Sequence, residues 1–185
     1  MNKASLKEKF LIYKVRQNKD AESYGKLYDY YVDRIFRFIL FKVATSEIAE
    51  DLTSEVFLKT WEYINGTPKK IGNLNALLYK VARNCVIDYY RSKNREAVCT
   101  DEECFENICD ERSDLENETA VKLDVQSIEK HLAKLKDAYR EVIILKYVED
   151  FSISEISELM DKSNGTVRVL LHRALKALKD IAGEN

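Results

Sequence analysis

Apolar residues recur at three- and four-residue intervals through the first half of the chain and predict four helices. The clearest stripe runs from Tyr24 through Leu27, Tyr31 and Ile35 to Phe38, and it marks a helix face directed at a core. A segment with two glycines and the only proline, residues 65–73, predicts a loop. The predicted helices cover about Ser5–Asn18, Ala21–Ala44, Ser46–Ile64 with Ser46 as N-cap, and Leu74–Asn94.

The second half of the chain has its own helical patterns. Residues from Asp124 to Leu135 and from Ala138 to Val148 predict two helices. Ser152, with Glu155 three residues later, forms a capping-box signature for a short helix that ends near Met160. Asp161 and Lys162 then turn the chain, and Ser163 is placed to cap a final helix.

The last helix has an apolar face and a basic face. Two helices joined by such a short turn are typical of a helix-turn-helix, whose second helix enters the major groove of DNA. A solvated surface helix would show the same two faces, so the caps and the short turn are what favour DNA binding. The apolar face carries Val167, Leu171, Ala174, Leu175 and Leu178; the outer face carries Arg168, Val169, His172, Arg173, Lys176 and Lys179.

Composition supports an all-α fold. The chain of 185 residues has 5 glycines and 1 proline, too few turn formers for many short strands. Its apolar runs are much shorter than the roughly 20 residues that cross a bilayer. The beginning of the chain is charged and amphipathic, unlike a secretory signal. The sequence therefore predicts a helical cytosolic protein without membrane insertion.

Charge is strongly segregated along the chain. Residues 1–96 carry 18 basic and 12 acidic side chains, residues 97–130 carry 3 and 11, and residues 131–185 carry 9 and 9. The acidic stretch has few apolar residues and no helical stripe, which is typical of a solvated linker. We predict two helical domains, 1–96 and 121–185, joined by an acidic flexible linker at 97–120.

The cysteines and histidines predict no metal site and no cofactor. Cys85, Cys99, Cys104 and Cys109 form no pair with the spacing of zinc ligands. The even spacing of the last three leaves metal binding or oxidation sensing as an alternative reading. No nucleophile and base pair, phosphate loop or metal cluster appears, so an enzyme is not expected.

The fourth predicted helix mixes cations, tyrosines and an amide. Aromatic side chains among cations are used by proteins that bind single-stranded nucleic acid, where each stacked base is worth about 1–3 kcal/mol. Tyrosines at these spacings, such as Tyr79, also occur in ordinary core packing. The helix alone therefore leaves both interpretations open.

Four segments, taken together, resemble the sigma-70 family of bacterial RNA polymerase initiation factors, in its extracytoplasmic-function (ECF) group. The group keeps the second and fourth conserved regions of the family. The matching segments are AEDLTSEVFLKTWE (Ala49–Glu62), LLYKVARNCVIDYYR (Leu77–Arg91), YREVIILKYVEDFSISEISELM (Tyr139–Met160) and NGTVRVLLHRALKALK (Asn164–Lys179).

The resemblance implies three sets of contact residues. Asp51, Ser54 and Glu55 would contact the coiled-coil clamp of the polymerase β′ subunit. The region from Asn65 to Arg91 would hold the melted −10 element, with Asn84 in a pocket for a flipped base, through Asn65, Lys69, Lys70, Asn73, Tyr79, Arg83, Asn84, Asp88 and Arg91. The last helix would read the −35 element through Ser163, Thr166, Arg168, Val169, His172, Arg173 and Lys176.

The expected function is that of an alternative sigma factor, which binds core polymerase, including the β′ clamp helices and the β flap, and directs it to promoter DNA. An anti-sigma protein is a further partner that the family suggests. A free-standing helix-turn-helix regulator that never joins polymerase is the main alternative, and an RNA-binding adaptor is the third.

Overall fold

The computed structural model describes residues 3–67, 71–94 and 131–183, and within these ranges every regular element is a helix. The chain divides into two compact units, residues 1–96 and 97–185. The first unit ends at the residue where the sequence predicts the end of the first domain. The predicted linker, with Cys99, Cys104 and Cys109, lies outside the described residues.

The N-terminal unit contains four helices. They are α1 (Lys3–Asn18), α2 (Ala21–Leu40), α3 (Ser46–Gly66) and α4 (Leu74–Asn94). The first three pack on one another, and α4 packs on α2 and α3. The predicted stripe of α2 forms the centre of the core, where Leu27, Ile35 and Phe38 are buried. Each such side chain contributes about 1.5–3 kcal/mol when fully buried, so these contacts dominate the stability of the unit.

Local capping explains where the helices begin. The Asp20 carboxylate accepts hydrogen bonds from the backbone N–H groups of Glu22 and Ser23, at 3.1 and 3.3 Å, and so caps α2. The prediction that Ser46 caps α3 is wrong, because Thr45 holds that position and its hydroxyl accepts from the backbone N–H of Ile48 at 3.3 Å. Both threonine and serine cap well, and only the backbone geometry distinguishes them.

The second helix ends earlier than predicted. The apolar stripe suggests a helix as far as Ala44, but α2 ends at Leu40. There the backbone tightens, and the N–H of Lys42 donates to the Ile39 carbonyl at 2.7 Å. The hydroxyl of Tyr90, from α4, donates to the Lys42 carbonyl at 2.7 Å. A long-range hydrogen bond thus takes the place of a helical one.

The C-terminal unit contains three further helices in the described residues, α5 (Asp137–Ile143), α6 (Ile153–Met160) and α7 (Asn164–Gly183). Both α5 and α6 pack on α7. Most of the helix predicted for Asp124–Leu135 lies outside the described residues, and residues 131–133 are helical. No helix in the described ranges is long and apolar enough to span a membrane.

The helix predicted for Ala138–Val148 changes type before it ends. The α-helix ends at Ile143 and continues as a π-helical turn, Ile144–Val148. Beyond this turn the N–H of Phe151 donates to the Leu145 carbonyl at 3.0 Å, and the Phe151 side chain is buried. The wider turn lets the chain reverse with its backbone groups paired, which an α-helical pattern in the sequence does not reveal.

Candidate nucleic-acid interface

Three local features, a capping box, a left-handed turn residue and an N-cap, stabilise the helix-turn-helix. Ser152 and Glu155 form the predicted capping box: the serine hydroxyl accepts from the Glu155 N–H at 3.2 Å, and the glutamate accepts from the Ser152 N–H at 2.9 Å. Asp161 ends α6 in the left-handed conformation, with φ of 54°. The Ser163 hydroxyl accepts from the Thr166 N–H at 3.1 Å and caps α7. The predicted capping box, turn and cap are confirmed.

The outer face of α7 is open to solvent. Val167 and Ala174, on the opposite face, are fully buried against the other helices, which fixes the rotation of α7 about its axis. Leu175, which the sequence places on the apolar face, lies at its edge and is 39% exposed. The predicted −35 contacts that are exposed together at this end of α7 are Ser163, Thr166, Arg168, Val169, His172, Arg173 and Lys176.

The character of this face suits DNA. It carries cations and hydroxyls, and no acidic residue occurs between Asn164 and Lys179. Val169 is 52% exposed in the middle of the cationic residues. A methyl-bearing side chain there can contact a thymine methyl, while arginines can donate to guanine or to phosphates. The face therefore presents side chains of the two kinds that position a protein on DNA and that read bases, and the contacts themselves stay a prediction.

A second exposed row lies along α4. Asn84, Asp88 and Arg91 recur at helical spacing and are exposed, while Arg83 is half-buried beside them. Lys80, four residues before Asn84, is exposed on the same face. Lys80 is absent from the predicted set, although its spacing from Asn84 places it on this face. The row presents an amide and charged groups that can bind a nucleic-acid strand.

Tyr79 does not belong to this exposed row. Its side chain is 1% exposed, and its ring packs edge-on against Phe38 with the ring centroids 4.9 Å apart. Tyr79 lies on the opposite side of α4 from Asn84, so in this structure it cannot stack on a base. The alternative reading of this tyrosine as core packing is the one that the structure supports.

The residues before α4 shape its entry. The Asn73 side chain accepts from the backbone N–H of Ala76 at 3.1 Å and so caps the helix. The Asn65 amide donates to the Trp61 carbonyl at 2.8 Å, and Asn65 is half-buried at the end of α3. Lys69 and Lys70 lie outside the described residues. The asparagines thus have local structural roles as well as their predicted contacts.

The predicted polymerase contacts lie on α3. Asp51 and Ser54 are exposed, and the Ser54 hydroxyl donates to the Glu50 carbonyl at 3.0 Å. Glu55 is half-buried and accepts from the Lys59 ammonium at 2.7 Å. Leu58, missing from the predicted set, lies on the same outer face and is 59% exposed. We define the α3 outer face as Glu47, Asp51, Ser54, Glu55, Leu58 and Glu62.

Metal-binding side chains do not converge in the described ranges, where no group of three His, Cys, Asp or Glu residues could hold an ion. Cys85 is buried between α4 and its neighbours, and burial raises the pKa of its thiol. A thiol of raised pKa is a poor nucleophile and metal ligand at neutral pH. Cys85 therefore acts as a small core residue.

Comparisons with known proteins find a family match in each half of the chain. The sigma-70 region 2 family matches residues 27–96, and the sigma-70 region 4 family matches residues 126–178. The chain is 31% identical over 157 residues to the ECF RNA polymerase sigma factor SigL of Mycobacterium tuberculosis, covering 83% of this chain and 85% of SigL. It is 29% identical to SigW of Bacillus subtilis, covering 86% of this chain and 89% of SigW.

Another relative is longer than this chain. The sequence is 30% identical over 162 residues to the ECF RNA polymerase sigma factor BldN of Streptomyces coelicolor, and the match covers 88% of this chain but 61% of BldN. The fold resembles that of RpoE in its co-crystal structure with the anti-sigma factor NepR from Bartonella quintana. That likeness has a TM-score of 0.71 and 22% identity, and covers 88% of this chain and 98% of RpoE.

The two matched regions contain the three surfaces described above, in the order that the sequence predicts. Region 2 holds the α3 outer face and the α4 row, and region 4 holds the capped α7. The chain therefore belongs to the sigma-70 family and is an RNA polymerase sigma factor of the ECF group.

Proposed function

We propose that this chain binds core RNA polymerase and directs it to promoters that carry a particular pair of −35 and −10 elements. The observation that carries the proposal is the outer face of α7, which is exposed, capped and without acidic residues up to Lys179. Such a face can lie in a major groove, with Arg168 and Arg173 contributing about 1–3 kcal/mol each where they pair with guanine.

The second part of the proposal concerns strand opening. The α4 row offers Asn84 and flanking charges to a single strand. Tyr79 is buried and is left out of the proposed −10 contacts. The proposed contacts are Asn65, Lys69, Lys70, Asn73, Arg83, Asn84, Asp88 and Arg91. A base that leaves the duplex costs a few kcal/mol of stacking, which a pocket must offset. We assign the α4 row to that step, with Lys80 as an additional phosphate contact.

The third part concerns the polymerase itself. The α3 outer face is acidic, with Leu58 near its middle. It suits a basic helical partner such as the β′ clamp helices, with Asp51, Ser54 and Glu55 as the contacts that the family suggests. The C-terminal unit would contact the β flap. The chain would act as a binding and positioning factor without catalysis of its own, in the cytoplasm where polymerase operates.

Regulation by an anti-sigma protein is part of the same proposal. The similarly folded RpoE was crystallised with the anti-sigma factor NepR. A protein of that class would inhibit this chain by covering the surfaces that contact polymerase or promoter. Addition of such a partner should lower polymerase binding by the intact chain.

The decisive experiment is transcription in vitro with purified core polymerase on a library of random promoters. We expect transcripts that depend on the chain and share two spaced sequence elements. Asp51→Ala should weaken polymerase binding and transcription, whereas Asp29→Ala, an exposed acid on α2, should leave both at the parental level. Tight, specific duplex binding by the isolated chain, without any association with polymerase, would instead indicate a free-standing regulator.

A further inference from the structure

The first helix has apolar side chains on two opposite faces. Ile12 and Val15 are buried and attach α1 to α2 and α3. On the opposite face Leu6, Phe10 and Tyr13 are 54%, 56% and 61% exposed. Single exposed apolar residues are common on protein surfaces, but three large ones in a continuous row are not. A continuous exposed apolar row indicates an interaction site.

The exposed row follows a heptad pattern. Leu6 and Tyr13 occupy d positions, and Phe10 and the exposed Gln17 occupy a positions. We call these four residues the α1 seam. The flanking e and g positions are all basic. Lys7 and Lys14 occupy e positions, and Lys9 and Arg16 occupy g positions.

The rest of the heptad agrees with this register. The f positions point away from a coiled-coil partner, and here they face the protein's own core. Val15 is fully buried, and Glu8 accepts from the Tyr31 hydroxyl at 3.0 Å. The domain therefore holds α1 by its inner faces and leaves the α1 seam, Lys7 and Lys9 exposed, with Lys14 and Arg16 half-buried at the edges.

The details of the seam favour a protein partner over other occupants. The ammonium of Lys14 lies 5.1 Å from the centre of the Phe10 ring, so one face of that ring already has a cation and is poorly available to a stacked base. A second copy of this chain would place cations against cations at e and g. A helix that lies on a membrane gathers its apolar residues on one face, whereas those of α1 are divided between two opposite faces, one of them already buried in the core.

We propose that the α1 seam docks a helix of a partner protein that carries apolar residues at a and d, and Asp or Glu at e and g. The two helices would form a short two-stranded coiled coil, in which the acidic positions pair with Lys7, Lys9 and Lys14. Its residues are different from those of the α3 outer face, the α4 row and α7. The proposal does not depend on polymerase binding.

Two synthetic helical peptides test the chemistry with the full chain. Both carry leucine at a and d; the acidic probe has glutamate at every e and g, and the basic probe has lysine there. We expect the acidic probe to bind at least about tenfold more tightly by fluorescence anisotropy. Its affinity should fall as salt rises, since the flanking ion pairs are solvent-exposed.

Matched variants locate the binding site. Tyr13→Ser should weaken the acidic probe about tenfold, because an aromatic d position supplies much of the contact. Tyr147→Ser changes an equally exposed tyrosine, 58% exposed in the C-terminal unit, and should change nothing. The double variant Lys7→Glu, Lys9→Glu leaves two basic and two acidic flanking residues and should abolish the preference between the two probes. Fluorescence of the single tryptophan, Trp61, checks that the N-terminal unit remains folded.

Several results would overturn the proposal. Equal binding of the two probes, no binding of either, or equal losses in Tyr13→Ser and Tyr147→Ser would each exclude a coiled-coil site on α1. Recruitment to vesicles of phosphatidylglycerol and phosphatidylcholine, lost in Tyr13→Ser and without acidic-probe binding, would identify a membrane surface instead. Self-association of the chain that disappears in Tyr13→Ser would identify a second copy.

Discussion

Arg140 is a buried cation with a structural role in the C-terminal unit. It is 2% exposed, and its guanidinium donates to the backbone carbonyls of Leu132 at 3.0 Å and Leu135 at 2.9 Å. A third carbonyl, that of Ala133, lies at 3.5 Å. The Leu132 carbonyl also accepts from the backbone N–H of Leu135 at 3.1 Å, so the guanidinium adds a second donor there and ties the end of this helical turn to α5.

Replacement of Arg140 by leucine should destabilise the C-terminal unit by about 3 kcal/mol, because the buried guanidinium's hydrogen bonds to the Leu132 and Leu135 carbonyls are lost. Arg140→Lys should recover part of the loss, since lysine keeps the charge but cannot reach several acceptors at once. Urea unfolding followed by far-UV circular dichroism measures the change. The fluorescence transition of Trp61 reports the N-terminal unit and should not move; an unshifted dichroism transition would contradict the assigned role.

Tyr24 and Tyr31 make the N-terminal unit sensitive to alkali. The Tyr24 hydroxyl donates to the Phe57 carbonyl, and the Tyr31 hydroxyl donates to Glu8. Burial raises the pKa of both phenols above the ordinary value of 10.0, and for Tyr31 the nearby Glu8 carboxylate adds to the effect. Above that pH the unfolded chain loses phenolic protons that the folded chain keeps, so folding stability falls as pH rises.

We therefore expect the urea midpoint of the N-terminal unit, measured by Trp61 fluorescence, to be steady below pH about 10 and to fall above it. The decline should be shallower in Tyr24→Phe, which removes one of the two groups. Tyr13→Phe alters an exposed phenol and should keep the parental pH dependence. A parental slope in Tyr24→Phe would contradict the assignment to that hydroxyl.

At the scale of one helix, α3 separates its tasks by face. Its inner face buries Leu52, Val56 and Ile64 in the core, while the α3 outer face is exposed and mostly acidic. Leu58 is the apolar member of that face. Binding hot spots are commonly central side chains surrounded by polar groups, and Leu58 lies between Glu55 and Glu62 on this face.

Leu58→Ser should weaken the binding of core polymerase about tenfold, corresponding to roughly 1–2 kcal/mol for the part of a leucine that is newly buried. Leu58→Met keeps the apolar volume at the same position and should keep near-parental affinity. Competition between labelled and unlabelled chains for core polymerase measures both. If serine and methionine behaved alike, apolar contact at this position would not contribute.

At the scale of the whole molecule, the two units would act at different steps of initiation. The outer face of α7 suits duplex DNA, and the α4 row suits an exposed strand. The acidic character of residues 97–130 and the two compact units are consistent with modules that engage separate sites at high effective concentration.

The steps should separate by substitution in the polymerase complex. Arg168→Ala should lower affinity for duplex −35 DNA by about 1–3 kcal/mol, with Lys134→Ala as a matched exposed cation outside α7. Asn84→Ala should leave the closed complex intact and reduce strand opening, measured by permanganate reactivity of unpaired thymines. Parental opening by Asn84→Ala, or parental duplex binding by Arg168→Ala, would contradict the respective site.

Contacts between residues close in the sequence were sufficient to predict the helix-turn-helix. The capping box at Ser152, the turn at Asp161 and the cap at Ser163 use only contacts within a few residues, and the structure forms all three. The exposure of Arg168 and His172 follows from the helical period once the apolar face is known. The sequence by itself therefore determined the two helices and the turn of the helix-turn-helix, and which face of α7 is directed at solvent.

Tertiary packing decided what spacing alone leaves open. Tyr79 and Asn84 lie in one motif, yet packing against Phe38 buries the tyrosine and leaves the asparagine exposed. The hydroxyl of Tyr90 ends α2 four residues early, and the burial of Phe151 accompanies a π turn at the end of α5. Each depends on contacts between residues far apart or on a crowded core, which the periodicity of a single segment does not encode.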